Sequence, residues 1–302
     1  MTIEYREFDV PSQTGRTAFV TGANTGIGYE ASRVLATRGA RVLLGCRSAD
    51  KAQQAIAKIR NETPDADVSW IPLDLGDLSS VSAAADQVLA EPRLDLLINN
   101  AGVMVPPRTE TTDGFELQFG VNHLGHFALT GHLVGKLASQ AGARVVTVSS
   151  SAHRGGKIHY DDLSAEKSYA RLARYQMSKF ANILFMYQLQ KLFEENDKHC
   201  ISVACHPGAS GTDLGRHIAP WLAVLLWPMQ FVMNSPAEGA LPTLMAATHA
   251  EVLGGDYFGP TRWGEMAHSA EKVKTDPPSQ DLQNALKLWQ LSEQLTGVNY
   301  QF

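Results

Sequence analysis

Features that mark secreted, membrane-spanning or nucleic-acid-binding proteins are scarce in this 302-residue sequence. Only three cysteines occur, Cys46, Cys200 and Cys205, and no two of them form a C-x-x-C pair. This usage is typical of reduced cytosolic thiols and argues against a small domain stabilised by disulfides. The formal net charge is -5, with no block of like charges. We therefore do not expect nucleic acid or an anionic membrane as the main partner.

Long apolar runs are also scarce. The N-terminal segment MTIEYREFDV is charged and lacks the apolar core of a signal peptide. The most apolar stretch, Ala219–Met233, is too short to span a bilayer and is interrupted by Pro228, although contact with a bilayer surface remains open. We expect a cytoplasmic protein without a transmembrane segment.

Short apolar runs rich in β-branched residues alternate with helical patterns, which indicates a parallel sheet covered on both faces. The six predicted strands are Thr17–Thr21, Val42–Cys46, Val68–Leu73, Leu94–Ile98, Arg144–Ser149 and Ile201–Cys205. The predicted helices between them are Gly28–Arg38, Ala49–Glu62, Leu78–Ala90, Phe115–Ser139 and Ala173–Glu195.

The last third of the sequence departs from this alternation. An apolar insert, Leu214–Met233, follows the sixth strand, and Gly254–Phe258 resembles a short seventh strand. Asp276-Pro-Pro-Ser279 reads as a stop-and-cap signal before a final helix near Asp281–Thr296, which Gly297 ends. No linker or repeat occurs, so we predict one α/β domain over residues 1–302, with its C-terminal helix at about 280–297.

A glycine-rich segment, Gly22-Ala-Asn-Thr-Gly26-Ile-Gly28, joins the first strand to the first helix. Glycines let the backbone approach a pyrophosphate, and the helix N-terminus offers free N–H groups to the anion. The spacing differs from G-x-G-x-x-G, so that fingerprint gives no support. The segment favours dinucleotide binding over a glycine-rich turn without a ligand.

The end of the second strand carries Arg47 where NAD-dependent enzymes often have an acid. A guanidinium suits a 2′-phosphate, which favours NADP(H) over NAD(H). The alternative is that Arg47 only faces solvent. Asp50 is better explained as a favourable charge in the first turn of a helix capped by Ser48.

Polar and small residues follow the third and fourth strands, at the sheet edge where ligands bind. Asp74 is positioned to accept a hydrogen bond from an adenine amino group. Ala101 and Gly102, after Asn99-Asn100, would let the cofactor lie against backbone. The alternative for Asn99-Asn100 and Gly102 is that they only form a turn. Asp77, just beyond Asp74, is interpreted as a helix cap.

Tyr175 and Lys179 are four residues apart at the start of a predicted helix, so their side chains share one face. An ammonium beside a phenol favours the phenolate, so we expect the pKa of Tyr175 to fall from about 10 toward working pH. Such a tyrosine exchanges a proton with a carbonyl or alcohol oxygen. An exposed helical pair is the alternative.

Three further positions have both a chemical and a structural interpretation. Ser149-Ser150-Ser151 ends the fifth strand, where a hydroxyl can orient a substrate oxygen or cap the strand. Asn122 lies mid-helix despite poor helix propensity, which suggests a reason such as a carbonyl or water relay toward Lys179; a surface position is the alternative. His206-Pro207-Gly208 precedes Thr212, whose hydroxyl would suit a nicotinamide carboxamide; a simple turn is the alternative. The histidines lack metal-ligand spacing, so we assign them no chemistry and expect no metal.

Together these motifs resemble the short-chain dehydrogenase/reductase superfamily and occur in its order. The resemblance implies a seven-stranded Rossmann fold and a catalytic tetrad of Asn122, Ser150, Tyr175 and Lys179. Ser150 is chosen because members use the second serine of the pair that ends the fifth strand. The implied cofactor contacts are Gly22, Asn24, Thr25, Gly26, Ile27, Gly28, Arg47, Asp74, Leu75, Asn100, Ala101, Gly102, Tyr175, Lys179, Pro207, Gly208 and Thr212.

Within the superfamily, the long stretch Ser149–Lys179, Cys46-Arg47-Ser48 and Leu288-Trp289 are similar to one branch. It contains retinol dehydrogenases, WW-domain oxidoreductase and protochlorophyllide reductase, and it implies NADP(H) and a lipophilic substrate. The insert at about 213–235 would form an apolar lid over the substrate; core packing or an oligomer contact is the alternative. The N-terminal anchor of animal retinol dehydrogenases is missing, which favours a soluble relative over a retinoid enzyme.

The favoured function is NADP(H)-dependent interconversion of a carbonyl and an alcohol on a small to medium hydrophobic substrate. Reduction of a carbon–carbon double bond, as in the protochlorophyllide branch, uses the same tyrosine and lysine and stays open. A catalytically silent dinucleotide sensor is a third alternative, which the intact tetrad disfavours. A homo-oligomer is compatible with the family.

Overall fold

The computed structural model describes residues 5–208, 234–262 and 264–302. Its core is one sheet with the strand order β3-β2-β1-β4-β5-β6-β7-β8. The strands are β1 Thr17–Thr21, β2 Arg41–Cys46, β3 Val68–Pro72, β4 Leu96–Asn99, β5 Arg144–Val148, β6 Ile201–Cys205, β7 Tyr257–Arg262 and β8 Ala267–Val273. The α-helices are α1 Gly26–Thr37, α2 Ala49–Glu62, α3 Leu78–Leu89, α4 Leu117–Phe119, α5 Gly125–Ala138, α6 Arg171–Glu195, α7 Pro236–Thr248 and α8 Leu282–Thr296.

The predicted doubly wound α/β class is confirmed, and within the described residues the sheet has eight strands instead of the expected seven. Strands β1 to β7 pair in parallel, whereas β8 pairs antiparallel with β7. The prediction missed β8 because Ala267–Val273 contains Ala, Glu and Lys, which have low strand propensity. A strand at a sheet edge tolerates such residues, since one side needs no partner.

The seventh strand also lies later than predicted, at Tyr257–Arg262 instead of Gly254–Phe258. Gly255 has φ +83° and belongs to the turn that enters the strand. Pro260 lies inside the strand, next to a shift in register against β8. Glycine and proline were read as strand ends, but an irregular pair of edge strands accommodates them.

Local capping explains where several helices begin. The Ser48 hydroxyl accepts from Lys51 N at the start of α2, and the Asp77 carboxylate accepts from Ser79 N and Ser80 N at the start of α3. Both caps agree with the sequence interpretation. The cap of α8 is Asp281, not Asp276-Pro-Pro-Ser279, because that segment forms a separate 3-10 turn, Pro277–Gln280.

The helix predicted at Phe115–Ser139 is shorter and irregular. One turn, Leu117–Phe119, leads into a π-helical stretch, Gly120–Leu124, which continues as α5. Asn122 lies inside the π-helical stretch, and such bulges are frequent at functional sites. The poor helix propensity of asparagine therefore coincides with a break in the regular α-helical pattern.

Two apolar layers hold the sheet. One layer packs the inner faces of α1, α2 and α7 against the sheet, and the other packs α3, α5 and α6 on the opposite side. Helix α8 and the last five residues complete the second layer, where the Tyr300 hydroxyl donates to the Phe127 carbonyl at 2.7 Å. Both faces of β1 and β4 are buried, which leaves the carboxyl ends of the strands as the place for a site.

Candidate active site

The loop between β1 and α1 has the geometry of a cradle for a phosphate. Gly22 and Gly26 have φ of +66° and +59°, in the left-handed region that favours glycine. A Cβ on Gly28 would lie 2.4 Å from Asn100 Nδ2 and 2.5 Å from the Gly22 carbonyl oxygen. The side chain of Thr25 forms no cap on α1. The backbone N–H groups in the first turn of α1, including that of Ile27, are therefore not capped by Thr25. A loop of this shape with uncapped N–H groups fits the pyrophosphate of a dinucleotide.

Thr21 joins this loop to the segment after β4. Its hydroxyl accepts hydrogen bonds from the backbone N–H of Asn100 at 2.9 Å and of Ala101 at 3.0 Å. The Asn100 side chain donates to the Thr21 carbonyl at 2.7 Å. Asn99 is buried and donates to Thr130 instead. The predicted cofactor residues on these two segments therefore lie side by side at one edge of the sheet.

A polar cavity of about 200 Å³ adjoins the phosphate loop. It is lined by Asn24, Thr25, Lys51, Gln54, Ala55 and Lys58. Asn24 and Thr25 were predicted as cofactor contacts, whereas Lys51 and Lys58 were not. Both lysines lie on α2. Lys51 follows Arg47 by only four residues, and this closeness in sequence to a predicted phosphate ligand could have identified it. With two ammonium groups and no carboxylate in its lining, the cavity suits an anion.

Arg47 and Asp74 lie together at the rim of this region. Arg47 is 73% exposed, and its Nη1 is 3.7 Å from Asp74 Oδ2. The other oxygen of Asp74 accepts from Gly76 N at 2.9 Å, and Leu75 is buried. An ion pair this exposed stabilises the fold little. Arg47 is thus available to a ligand, while one side of the Asp74 carboxylate is already used.

The Asn122 side chain is fully hydrogen-bonded. Its Oδ1 accepts from Val103 N at 2.8 Å, and its Nδ2 donates to Val103 O and to Ser178 Oγ, both at 2.9 Å. Its backbone carbonyl accepts from His126 Nδ1 at 3.1 Å. A Cβ on Gly102 would lie 3.1 Å from Asn122 Oδ1 and 3.6 Å from Lys179 Nζ. The structure thus brings three predicted residues from separate segments together.

Tyr175 and Lys179 are both buried near the start of α6, with Lys179 Nζ 5.9 Å from the centre of the Tyr175 ring. Burial raises the pKa of Tyr175, and the Ser150 side chain partly offsets the rise. The expected lowering by Lys179 is therefore wrong for this structure. Burial also lowers the pKa of Lys179 to about 8, and its ammonium donates to the Val148 carbonyl at 3.0 Å. Tyr175 is consequently a neutral phenol at neutral pH.

The three adjacent serines separate clearly. Ser149 is buried and donates to the Lys179 carbonyl at 2.7 Å. Ser150 accepts from Ala152 N at 3.2 Å, and its side chain is the one that acts on Tyr175. Ser151 is exposed. Of the three serines, Ser150 is therefore the one placed beside the Tyr175 phenol.

The segment after β6 is described only as far as Gly208. This glycine has φ +70°, and a Cβ on it would lie 2.4 Å from the Met266 carbonyl oxygen. The Pro207 carbonyl accepts from Asn234 Nδ2 at 3.1 Å. Thr212 and the predicted lid at about 213–235 lie outside the described residues, except for Asn234 and Ser235.

The sequence pattern of the short chain dehydrogenase family matches residues 16–223, which hold the glycine loop, Ser150, Tyr175 and Lys179. The chain belongs to this family. Its members bind NAD(P) and are oxidoreductases. Retinol dehydrogenase 14 of Homo sapiens is 40% identical, over 94% of this chain and 87% of that protein. Human retinol dehydrogenase 12 is 41% identical, over 95% and 88%.

Solved short-chain dehydrogenase folds agree with this assignment. A crystal structure of a protein from Mycobacterium paratuberculosis superimposes with a TM-score of 0.84 at 36% identity, and covers 99% of this chain and 100% of the other. A short chain dehydrogenase from Pseudomonas syringae gives a TM-score of 0.65 at 26% identity, over 85% and 98%.

Neither a membrane-spanning helix nor a metal-binding cluster of side chains occurs within the described residues. Across residues 5–208, 234–262 and 264–302, no helix combines the length and apolar character needed to cross a bilayer. In the same described ranges, no three His, Cys, Asp or Glu side chains are grouped as a metal ion would require.

Proposed function

We propose that this short-chain dehydrogenase is an NADP(H)-dependent enzyme that interconverts a carbonyl and an alcohol, with Tyr175 as the general acid/base. The observation that carries the proposal is the group formed at the carboxyl end of β5 by the buried Tyr175 and Lys179 with the half-buried Ser150. When bound, the dinucleotide supplies or accepts the hydride. The chain itself has to position the substrate oxygen and exchange its proton.

The side chains divide this work by their protonation states. Tyr175 is a neutral phenol, so its Oη holds a proton to give to the carbonyl oxygen in the reduction direction. The Ser150 hydroxyl lies beside it and can orient the same oxygen. Lys179 is close enough to stabilise the phenolate that remains, and a pKa of about 8 lets it carry a proton at neutral pH. Asn122 holds the segment that contains Val103 against α6 through Ser178.

The cofactor preference rests on the basic edge of the cradle. Arg47 is exposed at the end of β2, and Lys51 lines the cavity beside Asn24 and Thr25. A 2′-phosphate adds about two negative charges, which this edge can neutralise, whereas an unphosphorylated ribose gains little from it. We therefore propose that NADP(H) binds in preference to NAD(H).

The proposed substrate is a hydrophobic carbonyl or alcohol. Two observations support this class: the apolar composition of Leu214–Met233, and the sequence identity of 40% and 41% to human retinol dehydrogenases 14 and 12. The substrate panel should therefore contain retinal, medium-chain aldehydes, aromatic ketones and enones. Turnover of enones alone would favour reduction of a carbon–carbon double bond instead.

The Tyr175→Phe variant tests the acid/base role. We expect turnover of the panel to fall at least about 100-fold, because proton transfer by a positioned side chain contributes ~10²–10⁴. The Kd for NADPH should stay within about twofold. Tyr187→Phe is the matched control, since Tyr187 lies twelve residues further along the same helix and bonds Thr275 at 2.8 Å. Wild-type rates in Tyr175→Phe would contradict the assignment.

The variants Arg47→Asp and Lys51→Gln test the cofactor preference. A charge-assisted hydrogen bond to a phosphate is worth about 1.5–3 kcal/mol, so each variant should raise the Kd for NADPH by roughly 10- to 100-fold. The Kd for NADH should change much less. Lys191→Gln, an exposed lysine paired with Glu195 at the far end of α6, serves as the control. An equal loss of NADPH and NADH affinity would contradict the argument.

A further inference from the structure

A buried polar cluster of His153, Tyr257 and Asp276 lies directly behind Ser150. His153 is fully buried, one turn after Ser150 in the 3-10 helix Ser151–Gly155. Its Nδ1 is 2.6 Å from the Ser150 carbonyl oxygen, and the Tyr257 hydroxyl donates to the same oxygen at 3.4 Å. Its ring packs edge-on against Tyr257, with 5.3 Å between centroids. The serine peptide is thus held from behind by two aromatic side chains.

The partners of the His153 ring determine its tautomer. A carbonyl oxygen can only accept, so the 2.6 Å contact requires a proton on Nδ1. In the neutral ring, Nε2 therefore carries a lone pair. This nitrogen lies 3.4 Å from Asp276 Oδ1. Within the described part of the chain, neither atom has a hydrogen-bond partner.

Two buried acceptors that face each other are one proton short of a hydrogen bond. A proton on Nε2 would turn the contact between His153 and Asp276 into an ion pair with N–H donated to Oδ1. Burial lowers the pKa of His153, whereas the Ser150 carbonyl and Asp276 act in the opposite direction. The other charged groups that act on the ring are Arg154 and His206, which also lower its pKa. The lowered pKa means that the His153 ring takes up this proton only at a pH below the usual pKa of histidine.

The neighbouring charges are themselves paired, which leaves Asp276 as the partner of His153. Arg154 Nη2 bonds Glu265 Oε2 at 2.5 Å, and His206 Nε2 lies 3.1 Å from the same oxygen. Tyr257 stacks on the His206 ring with 5.3 Å between centroids and stays uncharged, because burial raises its pKa well above 10.0. The contacts that run from Asp276 through His153 to the Ser150 carbonyl are therefore separate from the group that Glu265 forms with Arg154 and His206.

We propose that His153 is a positioning residue for the catalytic Ser150, and that Asp276 orients the His153 ring. This role rests on the proposed oxidoreductase function. The Ser150 hydroxyl caps the short helix that contains His153, while the His153 ring holds the Ser150 carbonyl. The two contacts close a ring between residues 150 and 153 and fix the hydroxyl toward Tyr175. Because a misplacement of about 1 Å can cost ~10² in rate, the loss of this hold is visible in turnover.

Three variants separate positioning from a general loss of stability. His153→Leu removes the donor and should lower kcat about 10- to 100-fold, with the Kd for NADPH unchanged. His153→Asn keeps a donor at the Nδ1 position and should stay within about threefold of wild type. Phe193→Leu, a fully buried core position that contacts Phe302 at the far end of α6, is the control for lost stability without lost kcat. Equal kcat values for His153→Leu and wild type, or equal losses in both His153 variants, would overturn the proposal.

A double-mutant cycle tests whether His153 acts through Ser150. In the Ser150→Ala background, His153→Leu should lower the residual kcat by less than about twofold, because no hydroxyl remains to be oriented. A full additional 10-fold loss in that background would overturn the proposal, even if both single variants fold normally.

NMR of ¹⁵N-histidine-labelled protein gives a readout that needs no substrate. His153 should show a protonated Nδ1 and an unprotonated Nε2 at pH 7.5, and Nε2 should take up a proton on acidification. Asp276→Asn should move that titration to lower pH, because the negative charge that favours the proton is gone. A wild-type protein that turns over nothing in the panel would reject the oxidoreductase function. An unprotonated Nδ1 would reject the positioning role.

Discussion

Close packing at Gly28 makes the Gly28→Ala substitution a sharp test of the dinucleotide cradle. The added Cβ would lie 2.4 Å from Asn100 Nδ2 and 2.5 Å from the Gly22 carbonyl oxygen, where ordinary contacts begin at 3.4 Å. Either neighbour therefore has to move by about 1 Å, since a packed interior does not absorb such an overlap. Asn100 cannot move without weakening its 2.7 Å hydrogen bond to Thr21. The remaining response is a shift of the phosphate loop at Gly22.

The cost of this shift can be estimated. Overpacking by one methyl group typically costs about 1–3 kcal/mol. If ~2 kcal/mol of this appears in cofactor binding, the Kd for NADPH rises roughly 30-fold. If the loop instead stays in place in the free protein, the overlap is already present before binding, and the same amount is lost from the free energy of unfolding. The packing at Gly28 therefore predicts that the loss of NADPH binding free energy and the loss of unfolding free energy add up to about 2 kcal/mol.

Two measurements on the same preparations check this sum: NADPH fluorescence titration for the Kd, and urea unfolding for stability. Gly135→Ala is the matched control, because its Cβ would meet only the Gln301 carbonyl oxygen at 3.6 Å within α5. Alanine should stabilise that helix by up to about 1 kcal/mol and leave the Kd unchanged. If Gly28→Ala behaves like Gly135→Ala in both measurements, the cradle is not built as the structure indicates.

Two further predictions concern stability. Tyr300→Phe should lower the free energy of unfolding by about 1–2 kcal/mol in a urea titration, because the Phe127 carbonyl loses its 2.7 Å donor in a buried layer; an unchanged midpoint would show that the tail is not held by this bond. Burial lowers the pKa of His123 to about 3 and of His126 to about 4, so the unfolded state binds these protons first. Stability should therefore fall as pH drops below 6.5, by about 1.4 kcal/mol per pH unit for each histidine down to its folded pKa. His126→Gln should reduce the slope between pH 6 and 4.5, and an unchanged slope would exclude His126 as a source.

Local patterns predicted most of the strands and several helix starts. The runs that became β1, β2, β4, β5 and β6 are apolar because both faces of the sheet are covered there, so their burial is visible in composition alone. Ser48 and Asp77 were read as caps because capping depends only on residues two or three positions away. The order of the glycine loop, serine, tyrosine and lysine likewise depends on sequence alone.

Environments that arise from distant segments were not predicted. The expected fall in the pKa of Tyr175 treated Lys179 as an exposed neighbour, but both side chains are buried and desolvation raises the phenol pKa. Lys51 became relevant only when α2 packed beside the phosphate loop. His153 was assigned no chemistry, because its partner Asp276 lies more than 120 residues away in the sequence.

The sequence by itself therefore determined the alternation of strands and helices, the glycine cradle, and which residues could exchange a proton. It could do so because hydrophobic period, capping and motif spacing are properties of neighbouring residues. The tertiary structure decided the antiparallel eighth strand, the neutral state of Tyr175 and the contact of His153 with Ser150 and Asp276. The burial of Tyr175 and the contact between His153 and Asp276 depend on which distant residues come together in the fold. A local sequence pattern does not contain that information.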